Sequence, residues 1–489
     1  MAVTRVINAA GQTIEYERRR PEESVFYKIV LEHIRTLFAQ AAFQSEHGFG
    51  YPRHVKQEFE RFLTCGILAA GFARIQCEKK GCTFERLVAY SCKGRCICPS
   101  CVSRRMADCA AHLVENVLPL APYRQWTLSL PYKVRLRIGY DKALLSKVLA
   151  IFLRSIFSWQ RLRARRLGLR RPLVGSVTLC QRYGSLLQFS PHFHSWLPDG
   201  VLAQDDAGHL QFHHLPAPDD GDIDRLLWRI AHRVEALLDK PEADITVDDE
   251  DQALLVAQSA ALGSPFGSPR TMQNTVPFCR PRCSALEGYS LHADLQVDQA
   301  DRKKLERLLR YGLRPPFAKK RLSLTSSGQV RLKLRKPYFT GQTEIVLQPL
   351  DFLRRLVATI PPRRMNMVRF HGVFAPNAKV RKALKLLLPK SPALQEEIDL
   401  GDSPKAVGRG YRRPWHELLK RVFDLNILIC GKCGNKMHRI SHIEDPKVVE
   451  QILGHLELPT TVPTITSARD PPQTELDFCA DEPILDDVA

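Results

Sequence analysis

Apolar positions recur at helical spacing near the N-terminus. Phe26, Ile29, Val30, Ile34 and Leu37 mark one segment and Phe59, Phe62 and Leu63 a second, so residues 21–72 predict helices. Residues 102–117 predict another helix, after a cysteine-rich stretch. The pattern then alternates. Residues 125–131 read as a strand, 141–167 as a long helix with a basic end, and 173–183 and 186–197 as two strands joined at Gly184-Ser185. Residues 222–239 predict a helix, 290–297 a strand, and 301–313 a helix that Pro315-Pro316 stops. Strands and helices in this order predict an α+β sheet with helices on one face. Further on, Val330, Leu332 and Leu334 alternate with Arg331, Lys333 and Arg335, which predicts a basic hairpin turning at Ser327-Gly328.

These signals divide the chain into an N-terminal helical region (1–72), a cysteine-rich ribbon (73–117), an α+β core (118–320), and a basic hairpin with a helical extension (321–387). A proline- and glycine-rich linker (388–413), a small C-x-x-C module (414–458) and a proline-rich acidic tail (459–489) follow; the tail predicts disorder.

Charge narrows the class of partner. Lys and Arg number 72 against 52 Asp and Glu, a formal net charge of +20, with a pI near 9.5. Such a chain suits a polyanion, most simply nucleic acid. No uninterrupted apolar run of membrane-spanning length is present, and residues 1–20 lack the apolar stretch of a signal peptide. A cytoplasmic chain is therefore expected. Its fourteen cysteines are expected as thiols, and their clustering points to metal rather than disulfides.

The cysteine cluster spans Cys77 to Cys101. Cys77 and Cys82 form one knuckle, and Cys98 and Cys101 a second, fifteen residues further on. Two such turns predict one four-cysteine zinc site. Cys92 and Cys96 lie close enough to leave the ligand choice open. Cys430 and Cys433 are half a ribbon, which His438 and His442 could complete, unless it is a metal-free knuckle.

His192-Phe193-His194 ends an apolar strand before the turn signal Pro198-Asp199-Gly200. Alternation presents both imidazoles on one face with Phe193 in the core, a pair suited to a divalent cation. By the same alternation Gln188 is a candidate third ligand, with Gln181 on the neighbouring strand as the other; His292 is read as core. Tyr311 ends a helix carrying Arg302, Lys303, Lys304, Arg307 and Arg310, a phenol beside phosphate-binding cations. A second basic cluster runs from Arg161 to Arg171.

The order of cysteine ribbon, H-F-H strand and tyrosine on a basic helix resembles the HUH (histidine–hydrophobic–histidine) single-strand endonucleases. More closely, the chain resembles the rolling-circle transposases of the insertion-sequence-ninety-one type. Residues carrying the likeness include Gly71-Phe72-Ala73-Arg74, Ser91-Cys92-Lys93-Gly94-Arg95, Cys98-Pro99-Ser100-Cys101, Gln181-Arg182-Tyr183-Gly184 and Arg310-Tyr311-Gly312-Leu313-Arg314-Pro315-Pro316. Arg369-Phe370-His371-Gly372 and Cys430-x-x-Cys433-Gly434 fit as well. The founding members carry two tyrosines four apart. Here Arg307 occupies the earlier position, as in a single-tyrosine branch.

The resemblance implies an HUH ferredoxin-like core behind a zinc ribbon. It implies Mg²⁺ or Mn²⁺ on His192 and His194, with Gln181 as the third ligand, and structural Zn²⁺. Tyr311 would be the nucleophile that nicks and rejoins single-stranded DNA at element ends and target, and Arg307, Arg310 and Arg314 would contact DNA. A plasmid replication initiator or relaxase would share this chemistry. A non-catalytic zinc-dependent DNA-binding protein is the reading from a different class.

Overall fold

A computed structural model describes residues 4–7, 13–16, 19–45, 48–205, 208–239, 249–261, 281–338, 341–389 and 413–469. The linker and most of the acidic tail expected from the sequence lie outside these residues. A ribbon of β1 (Thr4–Ile7) and β2 (Thr13–Tyr16) precedes α1 (Val25–Phe43) and α2 (Arg53–Leu63). The Ser24 hydroxyl caps α1 by accepting from the Tyr27 amide. Both helices bury the apolar residues that their spacing marks. The hairpin of β3 (Phe72–Cys77) and β4 (Glu85–Ala89) follows, then α3 (Pro99–Asn116), which opens on a proline at its first position.

Next come β5 (Tyr123–Ser129), α4 (Tyr132–Tyr140), α5 (Lys142–Arg166), β6 (Gly175–Tyr183) and β7 (Phe189–Pro198). The chain continues with β8 (Gly200–Gln204), β9 (Leu210–His214), α6 (Asp220–Leu238) and α7 (Asp249–Ala260). Three strands, β10 (Cys283–Leu286), β11 (Tyr289–His292) and β12 (Gln296–Val297), lead to α8 (Arg302–Gly312). The basic segment is a three-stranded sheet of β13 (Leu322–Leu324), β14 (Val330–Lys333) and β15 (Glu344–Leu347), with Val330 and Leu332 buried and Arg331 and Lys333 exposed. Last come α9 (Pro349–Thr359), β16 (Val368–Gly372), α10 (Arg381–Leu386), α11 (Trp415–Phe423), β17 (Met437–Ile443) and α12 (Pro446–His455).

The central sheet has the order β10-β11-β5-β7-β6-β16, with β12 also on β5, and its pairings are antiparallel. The α+β class is as expected, but helices cover both faces rather than one. On one face Trp126, Leu128, Phe193 and Leu197 pack with α4, α5 and α6. On the other, Tyr123, Val177, Leu179 and Trp196 pack with α3 and α8. The period of two along each strand divides the apolar residues between the faces, and the polar residues at one end of the second face form the candidate site.

Helix α5 is long and apolar enough, by length and composition, to cross a membrane, yet more than half of that stretch is buried within this fold. Stretches that read as separate units share cores. The N-terminal helices pack with β13, β14, β15 and α9. The C-x-x-C module packs with Ile75 and Cys77 of β3.

The turn that closes β7 is fixed by charge. Arg124 of β5 donates to both carboxylate oxygens of Asp199, at 2.8 and 2.7 Å, and to the Ala293 carbonyl at 2.9 Å. The pair is 3% and 8% exposed, so removing one partner leaves a charge without water or counter-charge. Asp199→Ala is expected to cost on the order of 3–5 kcal/mol, whereas an apolar replacement of both partners costs much less. Urea midpoints measure both, and a wild-type midpoint for Asp199→Ala would refute the account.

Candidate active site and metal centres

His192 and His194 stand on the α3/α8 face of β7, their rings 4.8 Å apart. Phe193 points to the other face, where it packs on Phe152. The Nδ1–H of His192 donates to the Ser190 carbonyl at 2.7 Å, so its Nε2 carries a lone pair, 3.0 Å from Gln181 Oε1. The amide nitrogen of Gln181 donates to the Tyr183 hydroxyl, which itself donates to the Arg314 carbonyl. This chain fixes the amide with its oxygen toward His192. Burial pushes the His192 pKa down to about 4, with the Arg135 and Arg314 charges adding to the effect. Burial also holds His194 well below the usual imidazole range, helped by His192, Arg314 and His292. Two acceptors therefore face one another with no proton between them, an arrangement that a cation satisfies. His194 Nδ1 is held by the Gln125 amide at 3.0 Å and the Thr127 hydroxyl at 3.2 Å.

Gln188 does not join this group. Its Oε1 accepts from the Leu186 amide at 2.9 Å, and its amide lies against Gly184. Strand alternation begins only at Phe189, because Leu187 turns the chain with a φ of 58°. Residue 188 is thus part of the turn, and Gln181 is the glutamine beside the histidines. His292 is also not a core residue. It is partly exposed on β11, level with Thr127, which in turn pairs with His194.

Tyr311 is 39% exposed at the end of α8. The guanidinium of Arg314 lies 4.2 Å from its ring centroid and that of Arg335, from the basic sheet, 4.6 Å. Gly312 lets the helix end close on β6: a Cβ there would come 2.6 Å from Leu179 Cδ1, and Leu179 pairs with His194. Two other tyrosines near Tyr311 in sequence lie away from the histidines: Tyr289 is buried on the opposite face, donating to Glu235 at 2.8 Å. Tyr338 packs against the N-terminal core.

The basic helix is only partly a charged surface. Arg307 is exposed, but Arg310 donates to Glu306 at 2.6 Å. Arg302, expected on the basic face, points inward and caps α3 through the carbonyls of Val114, Leu118 and Pro119. The Arg161–Arg171 cluster begins in the last turns of α5 and runs past its end, and α5 packs on the face away from the histidines. Within it Arg163 is committed to Asp222 and to the Trp159 ring.

The cysteines form two groups, not one ribbon of Cys77, Cys82, Cys98 and Cys101. Cys65, Cys92, Cys98 and Cys101 converge at the base of the β3–β4 hairpin; Cys77, Cys82, Cys430 and Cys433 converge at its tip. The hairpin itself keeps the two knuckles apart, by about 17 Å at the usual rise of a strand. Sulfur separations are 3.4 Å for Cys92–Cys101 and 3.6 Å for Cys65–Cys101 and for Cys65–Cys98 in the first group. In the second they are 3.4 Å for Cys77–Cys433 and 3.9 Å for Cys82–Cys430. Tetrahedral zinc with Zn–S bonds near 2.3 Å spaces sulfurs about 3.8 Å apart, so both groups fit zinc. Neither His438 nor His442 belongs to the second group. Both lie on β17; His442 Nδ1 is 2.9 Å from the Tyr90 hydroxyl and His438 Nδ1 3.9 Å from Glu78. Cys65 carried no knuckle partner in sequence to betray it. The pairing of β17 with β3, which sets Met437 opposite Cys77, joins residues too distant for any spacing rule.

Comparison with known families adds to this geometry. A family model described as "Putative transposase" matches residues 175–382, and one described as "Transposase zinc-binding domain" matches residues 36–130. No curated protein and no solved structure matches the chain. The two matches together support a transposase of the insertion-sequence-ninety-one family. The first match holds His192, His194 and Tyr311; Cys430 and Cys433 lie outside both.

Two expectations follow from the site chemistry. The folded protein should hold about two zinc ions, and Cys98→Ser and Cys430→Ser should each remove about one, by the four-ligand rule. Plasma mass spectrometry reads the content, and an unchanged value in Cys430→Ser would eliminate the second centre. The second expectation concerns acid. The His192 pKa is lowered in the fold, so between about pH 6.5 and about 4 the unfolded chain binds the proton and the folded chain does not. Stability contributed by the neutral ring is complete above that window and falls as pH drops through it. His192→Gln should flatten this part of the stability–pH curve; an unaltered slope would show that the ring is not held neutral.

Proposed function

We propose that the protein nicks and rejoins single-stranded DNA by tyrosine transesterification during rolling-circle transposition, on an HUH-type core. The observation that carries this reading is a single connected arrangement: Tyr311 has two guanidiniums against its ring, on a helix end tied through the Arg314 carbonyl, Tyr183 and Gln181 to His192. His192 and His194, with Gln181, would hold Mg²⁺ or Mn²⁺, which when bound polarises the scissile phosphate. Burial keeps these imidazoles neutral and therefore ready as ligands at physiological pH.

Arg314 and Arg335, both against the phenol ring, would offer charge to the phosphate. The Tyr311 oxygen, having given its proton to solvent, attacks phosphorus. The bond from phosphorus to the 3′-oxygen breaks, and that oxygen takes up a proton. The products are a 5′-phosphotyrosine and a 3′-hydroxyl. Attack by a 3′-hydroxyl reverses the step and joins strands without ATP, because the ester bond is retained. Arg307 stands one helical turn before Tyr311, so each chain supplies one nucleophile in this reading. A replication initiator or relaxase would use the same step; the two family matches favour the transposase.

The test removes one oxygen. Tyr311→Phe should keep the fold, zinc and DNA binding but lose both cleavage and the covalent adduct with single-stranded element ends in Mn²⁺. His192→Ala and His194→Ala should lose cleavage and keep binding. Denaturing gels and peptide mapping read the result. Cleavage that persists in Tyr311→Phe would mean a water-attacking nuclease, and no adduct in the wild type would mean a binding protein.

A further inference from the structure

A groove of about 900 Å³ leads away from the candidate site. One wall is Gln181, Tyr183, Gly312 and Arg314, which belong to the site already described. The other is the zinc-binding domain, through the loop at Lys93 and Arg95 and the face of α3 that carries Arg105 and His112. Its floor includes apolar side chains, among them Met106, Met367 and Trp415.

The cations in this groove are of two kinds. Arg182 is buried and donates to the Gly139 carbonyl at 2.8 Å, and Arg413 is paired with Glu115 and Glu417. Lys93, Arg95 and Arg105 are exposed and, among the described residues, pair with no carboxylate; Arg105 donates only to the Lys93 carbonyl, at 3.3 Å. Among the described residues, Asp108 is the one acid lining the groove. A rim of uncommitted cations above an apolar floor suits a nucleic-acid strand, whose phosphates follow the charge while its bases lie on apolar and aromatic surface. The loop bearing Lys93 and Arg95 is not free to drift. Cys92 and Cys98 on either side of it belong to the first cysteine group, and Glu58 accepts from the Arg95 and Cys96 amides.

We infer that this groove binds the single-stranded DNA flanking the scissile phosphate, so that the zinc-binding domain is one wall of the substrate channel. The inference rests on the proposed cleavage reading for which strand is held, but it concerns a different surface. Lys93, Arg95 and Arg105 are its phosphate contacts, and the first cysteine group orients them.

The test reads binding without cleavage. Fluorescence anisotropy follows a labelled oligothymidylate on the zinc-loaded full chain across a salt series. A triple variant, Lys93→Ala with Arg95→Ala and Arg105→Ala, should lower the slope of log affinity against log salt by roughly 2, at roughly 0.7 for each lost single-strand contact. The charge-preserving set Lys93→Arg, Arg95→Lys and Arg105→Lys should keep the slope, which separates lost contacts from a damaged fold. Arg165→Ala with Arg166→Ala and Arg170→Ala removes equal charge near the end of α5, and should leave it unchanged. An unaltered slope in the first variant, or an equal fall in the α5 variant, overturns the inference. So does duplex DNA that binds as tightly through the same three residues. Adduct formation with Mn²⁺ is scored separately on the wild type: its absence would refute the tyrosine reading, while the salt slopes still decide the groove.

Discussion

The ring of Phe193 is the constraint on which the site depends. It is 1% exposed, packed on Phe152 of α5. A strand alternates its side chains strictly, so burying that ring forces His192 and His194 onto the opposite face. A slip of one residue would drive two imidazoles into an apolar core and expose a phenyl ring to water. The same alternation on the neighbouring strands brings Gln181, Thr127 and His292 to the histidine face, because β6, β5 and β11 are in register with β7 directly or through one another. Packing on one side of the sheet thus specifies chemistry on the other.

Sulfur supplies a second, longer-range constraint. Cys82 and Cys430 are 348 residues apart yet 3.9 Å from one another. Closing so large a loop carries an entropic cost, although that cost grows only slowly with length. Zinc binding of the size typical for four thiolates is folding free energy, and it can exceed that cost. The pairing of β17 with β3 contributes backbone hydrogen bonds to the same closure. The ends of the described chain are consequently coupled: the tip of the β3–β4 hairpin holds the C-terminal knuckle, while its base organises the loop that walls the groove.

What the sequence disclosed follows the range of the forces involved. Helices, strands and the basic hairpin were legible because burial periodicity is local; Val330 and Leu332 are buried just where alternation places them. The face shared by His192 and His194 was legible for the same reason. Which of Gln188 and Gln181 lies beside the histidines depends on where a strand begins, and a positive φ at Leu187 leaves Gln188 in the turn. The partition of cysteines was beyond any spacing argument. Cys77 and Cys98 look like parts of one ribbon until the hairpin between them is extended. Arg302 shows the same limit for charge, since a basic helix face in sequence includes a guanidinium that serves as a cap for α3.

Burial divides labour across the site. His192 and His194 lie deep enough that desolvation keeps both imidazoles uncharged, and the lone pair on His192 Nε2 faces the Gln181 carbonyl oxygen with no donor between them. Tyr311 is placed oppositely, on a helix end open to solvent. Arg314 serves both halves. Its guanidinium covers the phenol ring and adds positive charge near the imidazoles, and its carbonyl receives the Tyr183 hydroxyl that fixes Gln181. Burial pushes the Tyr183 pKa up to about 12, so that phenol stays a donor and the amide orientation holds throughout the pH range in which the imidazoles are neutral. The placement of Tyr311 and the orientation of Gln181 are therefore linked through one residue, since Arg314 covers the phenol ring and its carbonyl accepts at the end of the two hydrogen bonds that run from Gln181 through Tyr183.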